Sequence, residues 1–456
     1  MEVKTVQTIR CLAADIVQKA NSGHPGAPMG LAPLATLLWG EIMTFDAKDP
    51  DWHDRDRFVL SNGHACALLY SMLHLTGYED MTMEQLKNFR QLKSITPGHP
   101  ERHMAKGVEV STGPLGQGIS NAVGMAMAEA HLAATFNKDG LNIVDHRTWV
   151  IVGDGCLMEG VTQEALSLAG HLQLEKLTVI YDDNHISIDG NTNCTFTEES
   201  TKKFQSLGFH TIVVADGDND FAAIRAALEE AQNTRGKPTV ILLRTTIGKD
   251  SKMENTGKVH GSPLGDEDIA NLKKKYGRDP QQRFVIEQDV YDFFHKASER
   301  GAAKKKQWKA TMEQYREKFP ELAALYDSFW NSTLPEGWKA KLPRNNGKSI
   351  ATRKSSENTL QEILNMAPFV IGGSADLTGS NLTRPDGAKL VDFQPKTPEG
   401  RYIRFGVREH GMCGVLNGIN AHGGLIAYGG TFLNFISYAM GAVRLAALSG
   451  HGSIFV

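Results

Sequence analysis

The sequence predicts an α/β protein built from two parallel-sheet domains, the second incomplete. Three observations carry that expectation. Short β-branched runs alternate with helix-patterned segments from Thr148 onward, and the strand candidates end in Gly-Asp or Asp-Asn turns. The alternation then restarts beyond a stretch marked by Pro335, Gly337, Pro343, Asn345, Asn346 and Gly347. Strands joined through crossover helices lie parallel, and ligands of open parallel sheets sit at the carboxyl ends of the strands.

In the first domain the strands fall at 148–152, 177–181, 211–214 and 239–243, with helices at 163–172 and 221–232 between them. A small-residue helix over 120–130 precedes this set, and a polar helical stretch over 304–330 follows it. After the Pro- and Asn-marked stretch come a helix at 356–365, strands at 369–372 and 402–405, a helix from Glu409, a strand at 424–428 and a helix at 432–448. The domains are therefore expected at 1–330 and 353–456, with 331–352 as linker. The second ends inside the apolar run Ser453-Ile454-Phe455-Val456, an uncapped strand, so the chain is expected to be truncated there.

Composition limits the function classes. The chain has 456 residues, 41% of them hydrophobic and 22% charged, which suits a folded enzyme of up to about three domains and excludes a disulfide-stapled mini-protein. A net charge of -3 supplies no global field for a nucleic-acid backbone, and the lysine triplets at 273–275 and 304–306 read as solvated helix faces. The five cysteines form no CxxC pair, so neither a zinc site nor a disulfide framework is expected. Met1-Glu2-Val3-Lys4 lacks a signal-peptide core, which points to the cytoplasm. The uncharged run 411–443 has membrane-spanning length, but Asn417, Asn420, His422, Asn434 and its glycines favour a buried strand and helix, with no membrane partner.

Gly153-Asp154-Gly155 follows one predicted strand and Asp182-Asp183-Asn184 the next. Either turn alone reads as a surface Asx turn. As a pair they offer hard oxygen ligands, from Asp154, the Asn184 side chain and a backbone carbonyl near Ile186, suited to Mg²⁺, Ca²⁺ or another divalent cation. The loop Gly113-Pro114-Leu115-Gly116-Gln117-Gly118 opens a helix and allows close approach of a ligand, although its spacing is not the dinucleotide fingerprint. Four histidines sit in Gly- or Pro-framed turns: His24, His64, His99 and His260. Each alone reads as structural; converging imidazoles would bond hydroxyls and pass protons near neutral pH.

The segments SGHPGAPMG, LSNGHACALLY, TPGHPE, STGPLGQGISNAVGMA, GDGCLMEGVTQEA, YDDNHISIDG, SADLTGSNLT, FGVREHGM and GGTFLNFISYA resemble transketolase, and the match covers nearly the whole chain. The resemblance implies a first domain that binds the diphosphate and metal of thiamine diphosphate and a second that binds its pyrimidine. It implies Asp154, Asn184 and Ile186 as metal ligands, and His64, Gly113, Pro114, Leu115, Gly155, Asn184 and His260 as cofactor contacts. Phe435 resembles the aromatic residue that stacks on the aminopyrimidine; its other reading is a core residue at helical spacing. His24, His99 and His260 resemble substrate and proton-transfer residues, and Arg353 and Ser380 resemble binders of the substrate phosphate. Glu159 resembles an interface carboxylate and Asp376 one near the cofactor.

Glu409 resembles the carboxyl that favours the imino tautomer of the aminopyrimidine, the form able to remove the thiazolium C2 proton. With Phe405, Val407, Met412 and Val415 near it in sequence, it is expected to be desolvated. The competing reading is a helix N-terminal Glu placed by the macrodipole. The activity implied is transfer of a two-carbon ketol unit from a ketose phosphate to an aldose phosphate in the pentose phosphate pathway. A homodimer with sites between subunits is implied with it. Dihydroxyacetone synthase, deoxyxylulose-phosphate synthase and a non-catalytic transketolase-derived protein are the rivals.

Overall fold

The computed structural model describes residues 1–456, which divide into two compact units. The first comprises Met1–Ile119, His146–Gly160 and Glu175–Gln307. Its centre is a five-stranded parallel sheet of β1 (Arg57–Leu60), β2 (Thr148–Gly153), β3 (Leu177–Asp183), β6 (His210–Val214) and β7 (Thr239–Arg244), in the order β1-β2-β3-β7-β6. A two-stranded antiparallel hairpin, β4 (Ile186–Ser187) with β5 (Gly190–Asn191), follows β3. Strands β2, β3 and β7 are buried along nearly their whole length, which is why they read as unbroken apolar runs.

The sequence-predicted strands of this unit agree with the observed ones to within two residues. Strand β1 was not anticipated, because it is four residues long and starts on a charged side chain. Arg57 is fully buried there, with Nη2 donating to the His53 carbonyl at 3.0 Å. Helix Phe221–Asn233 starts where Asp220 accepts the Ala223 N–H at 2.9 Å, an N-cap that fixes its first turn. Helix Glu2–Ala20 buries Ile9, Leu12, Ile16 and Val17 in the same core as Trp149, Ile151 and Ile180.

The second unit comprises Ser120–Asp145, Val161–Leu174 and Trp308–Val456. Its four-stranded parallel sheet holds β8 (Val370–Ser374), β9 (Tyr402–Arg404), β10 (Ile426–Gly430) and β11 (Ile454–Phe455), in the order β11-β10-β8-β9. Helix Glu409–His422 crosses the small-residue helix Gln117–Phe136 at van der Waals contact. A Cβ at Gly124 would lie 2.1 Å from the Val415 carbonyl oxygen, and one at Gly418 only 2.0 Å from that of Asn121. Asn121 Nδ2 donates to the Gly414 carbonyl at 2.8 Å across the crossing.

Two expectations change here. The polar stretch over 304–330 belongs to two helices, Gln288–Lys318 and Pro320–Trp330, broken where Pro320 withdraws a backbone donor and restricts Phe319. The stretch 432–448 is a 3₁₀ run, Leu433–Ala439, before helix Met440–Leu448, and it is not buried throughout: Leu433 is 89% and Tyr438 66% exposed. No helix is long and apolar enough to cross a membrane.

Candidate active site

The strand ends of the first unit build one cleft of about 360 Å³. Register aligns them: Gly153 pairs with Asp182 and Asp183 with Arg244, so the turns after β2 and β3 leave the sheet side by side. Asp154, Gly155, Asn184 and Ile186 therefore line the cleft together. The 113–118 loop adds Gly113 and Leu115; Pro114 lies in the same loop without lining the cleft. Gly113 has φ 135°, and a Cβ there would stand 3.1 Å from the His99 ring, so loop and imidazole meet only because the side chain is missing.

The four predicted histidines converge. Ring centroids of His24 lie 5.0 Å from His64, 5.5 Å from His260 and 6.2 Å from His99, and His64 lies 4.8 Å from His260. Burial first, then the neighbouring His260, Arg90 and His99, holds His24 down to about 4. Burial and the other three imidazoles press His64 well below its ordinary value. His99 and His260 are lowered chiefly by burial. At neutral pH the cleft thus presents uncharged imidazoles, each one donor and one acceptor, a set suited to hydroxyl groups.

On the acidic side, the Tyr181 hydroxyl donates to Asp154 Oδ1 at 2.5 Å, and burial raises the Asp154 carboxyl to about 6. Asn184 Oδ1 accepts the Ile186 N–H at 2.9 Å, while its Nδ2 donates to Asp182 Oδ2 at 3.0 Å. Asp154, Asp183 and His185 bring ligand atoms within 4.8 Å of one another. Asp183 and His185 were not singled out from the sequence, although both stand in the quoted YDDNHISIDG. Asn62, from LSNGHACALLY, is another such residue: it lines the cleft, buried, and its Oδ1 has no hydrogen-bond partner. Ile188, in the turn of the β4–β5 hairpin, also lines the cleft and is 70% exposed. Glu159 is exposed just beyond the short helix Asp154–Met158.

The second unit holds the remaining candidates. Arg353 Nη1 donates to the Ser380 carbonyl at 3.2 Å, which brings the two expected phosphate binders together. Asp376 is exposed with a left-handed φ of 61°. The Phe435 ring lies 5.9 Å from Phe432 and 6.3 Å from Tyr438, in an aromatic run rather than a core. Glu409 opens its helix as expected, but the apolar enclosure foreseen for it is not made by this chain. Phe405, Met412 and Val415 are buried, yet Val407 is 73% exposed and Glu409 is half-buried, because the 405–409 turn carries both toward the surface. The neighbouring carboxylate Glu164 accepts the Gly411 N–H at 2.6 Å.

Fold and cleft together define an α/β protein with a histidine- and acid-lined cleft at the carboxyl ends of a parallel sheet. Residues 1–335 match the transketolase thiamine diphosphate binding domain, and residues 348–456 match the transketolase pyrimidine binding domain. Transketolase 1 of Saccharomyces cerevisiae is 53% identical over 99% of this chain and 67% of its own length. The transketolase of Nostoc is 50% identical over 100% and 68%. Among solved structures, the transketolase of Leishmania mexicana superposes with a TM-score of 0.98 at 58% identity. It is matched over 100% of this chain and 68% of the other. A Pichia stipitis transketolase in complex with sedoheptulose-7-phosphate gives 0.97 at 51%, with the same coverage. The chain belongs to the transketolase family. It spans about two thirds of the length of these relatives, and their identity supports transketolase over the dihydroxyacetone and deoxyxylulose-phosphate synthase readings.

Proposed function

We propose that this chain acts in transfer of a two-carbon ketol unit from a ketose phosphate to an aldose phosphate in the pentose phosphate pathway. The observation that carries the reading is the convergence of four uncharged imidazoles on the strand-end acids of one cleft, in a chain of this family. The cofactor fits the residues present. The side-chain-free edges at Gly113 and Gly155 and the oxygen ligands of the Asp-Asn turn suit an anionic, metal-neutralised group, and the unpartnered Asn62 oxygen is left to accept from a ligand's donor. Asp154, Asn184 and the Ile186 carbonyl would hold Mg²⁺, Ca²⁺ or another divalent cation. His64, Gly113, Pro114, Leu115, Gly155, Asn184 and His260 would hold the diphosphate end.

Thiamine diphosphate, when bound, supplies the electron sink for the transferred two-carbon unit. The protein's part is orientation and proton handling. His24, His99 and His260 bond the sugar's hydroxyl and carbonyl oxygens and carry protons to and from them. Arg353 and Ser380 would bind the phosphate end, Phe435 would stack on the pyrimidine, Glu409 would hold a proton at the pyrimidine nitrogen, and Asp376 would face the cofactor. Two copies form a homodimer, with Glu159 at the interface and Glu409 of one copy serving the cofactor held by Asp154 of the other. Exposure of Leu433, Tyr438 and Val407 around Phe435 and Glu409 supports a covering partner. The compartment is the cytoplasm.

A screen of acceptors tests the activity: an aldose phosphate should be used with a ketose phosphate donor, whereas preference for formaldehyde or for pyruvate as donor would overturn it. The shared site is tested by mixing inactive Glu409→Ala and Asp154→Ala variants under subunit exchange. Activity should return, and a dead mixture with exchange verified by mass rejects the arrangement.

A further inference from the structure

Arg90 lies outside every motif that carries the family resemblance, and it does not line the cleft. Its backbone is left-handed, φ 62°, held by its N–H donating to the Thr96 carbonyl at 2.9 Å. From there the guanidinium reaches two of the histidine turns at once. Nη1 donates to Ser22 Oγ at 2.8 Å, and Nη2 lies 3.3 Å from the Gly98 carbonyl oxygen and 3.5 Å from His24 Nδ1. The packing has no slack, since a Cβ at Gly98 would stand 2.6 Å from Nε. No carboxylate pairs with this cation, and its Nε is buried without a hydrogen-bond partner. An arginine kept without an ion-pair partner, on a strained backbone, is not explained by its own stability.

We infer that Arg90 is a positioning residue. Its planar fork ties the 22–24 turn to the 97–99 turn and fixes His24 in the tautomer that carries its proton on Nε2, leaving Nδ1 to accept from the guanidinium. A guanidinium has no acceptor, so the His24 nitrogen facing it must be bare, and in a neutral ring the proton then belongs to the other nitrogen. The edge bearing Nε2 faces Gly261, where a Cβ would lie 3.3 Å away, so a close backbone is matched to that edge as well. The charged and titratable groups facing His24 are Arg90, His64, His99 and His260, none of them acidic, and this set keeps the ring neutral. Resting on the reading of His24 as a substrate group, Arg90 sets it as a hydrogen-bond donor toward a substrate carbonyl or hydroxyl oxygen.

Long-range ¹H–¹⁵N spectra of ¹⁵N-histidine-labelled protein test this, with His24 assigned through His24→Gln. Wild-type His24 should show a protonated Nε2 and a bare Nδ1, with no titration above pH 5. In Arg90→Met the two tautomers should mix and the midpoint should rise; Arg90→Lys, which keeps the charge, should restore the low midpoint but not the single tautomer. A wild-type proton on Nδ1 overturns the assignment whether or not the variants fold. So does a folded Arg90→Met whose His24 is unchanged. Kinetics separate the two levels: Arg90→Met should lower kcat/KM roughly 10–100-fold with cofactor affinity retained. If the tautomer shifts and kcat/KM does not, the substrate role of His24 fails while the tautomer assignment stands.

Discussion

The Tyr181 hydroxyl donates to Oδ1 of Asp154 across 2.5 Å, linking strand β3 to the first residue beyond its neighbour β2. On the proposed reading of Asp154 as a metal ligand, a partner that orients its carboxylate is worth about 10–100-fold in affinity. Tyr181→Phe should therefore weaken Mg²⁺-dependent binding of thiamine diphosphate by about tenfold, and Asp154→Ala should weaken it more. Titration calorimetry with Mg²⁺ present measures both; unchanged affinity in Asp154→Ala would remove the metal assignment.

His24→Ala and His260→Ala should act on the sugar more than on the cofactor. Each is expected to lower turnover or raise the donor KM, with kcat/KM down by about 10²-fold; cofactor binding persists in His24→Ala, and in His260→Ala, whose imidazole also serves the diphosphate, it weakens by less than kcat/KM falls. Steady-state kinetics beside cofactor titration checks this, and wild-type kinetics in both variants would dismiss the role.

Acid should destabilise the second unit through His131. Burial lowers this imidazole to about 4, and Arg401 acts in the same direction, against a hydrogen bond of 3.1 Å to the Pro398 carbonyl. The unfolded chain, with an ordinary histidine near 6.5, binds that proton more readily, so stability falls as pH drops from about 6.5 toward 4. The contribution between pH 7 and pH 5 is roughly 1–2 kcal/mol. Urea midpoints at the two pH values should show it, and His131→Gln should flatten the difference.

Much of the fold was legible because strands covered on both faces must be apolar throughout, and β2, β3 and β7 are. Strand β1 was not, since the burial of Arg57 is satisfied by carbonyls that no local pattern announces. The strand-end acids could be read as a pair because they follow consecutive strands. Convergence of His24, His64, His99 and His260 could not, as nothing in their spacing ties one to another. The enclosure expected around Glu409 was inferred from neighbours in sequence, and a turn that brings Val407 to the surface breaks that inference. Arg90 had no signal at all, because its role lies in what it touches.

Gly418→Ala should destabilise the second unit, for the new methyl would meet the Asn121 carbonyl oxygen at 2.0 Å. Overpacking of this kind costs about 1–3 kcal/mol. Gly379→Ala, which meets nothing within 4 Å, should change stability by no more than about 0.5 kcal/mol. Thermal melts of the two variants decide whether the helix crossing is as tight as its geometry implies.

That same crossing has a consequence for how the protein is made. Asn121 and the Gly414 carbonyl it grips are 293 positions apart in the chain, so on a ribosome the first helix emerges long before its mate exists. At about 5–20 residues per second the wait is roughly 15–60 s, far longer than the microseconds to milliseconds of collapse and helix formation. During that interval the face of helix Gln117–Phe136 that meets helix Glu409–His422 has no native cover. Synthesis of this chain should therefore lean on chaperones that shield nascent apolar segments, and slowing translation should raise, not lower, the fraction that aggregates.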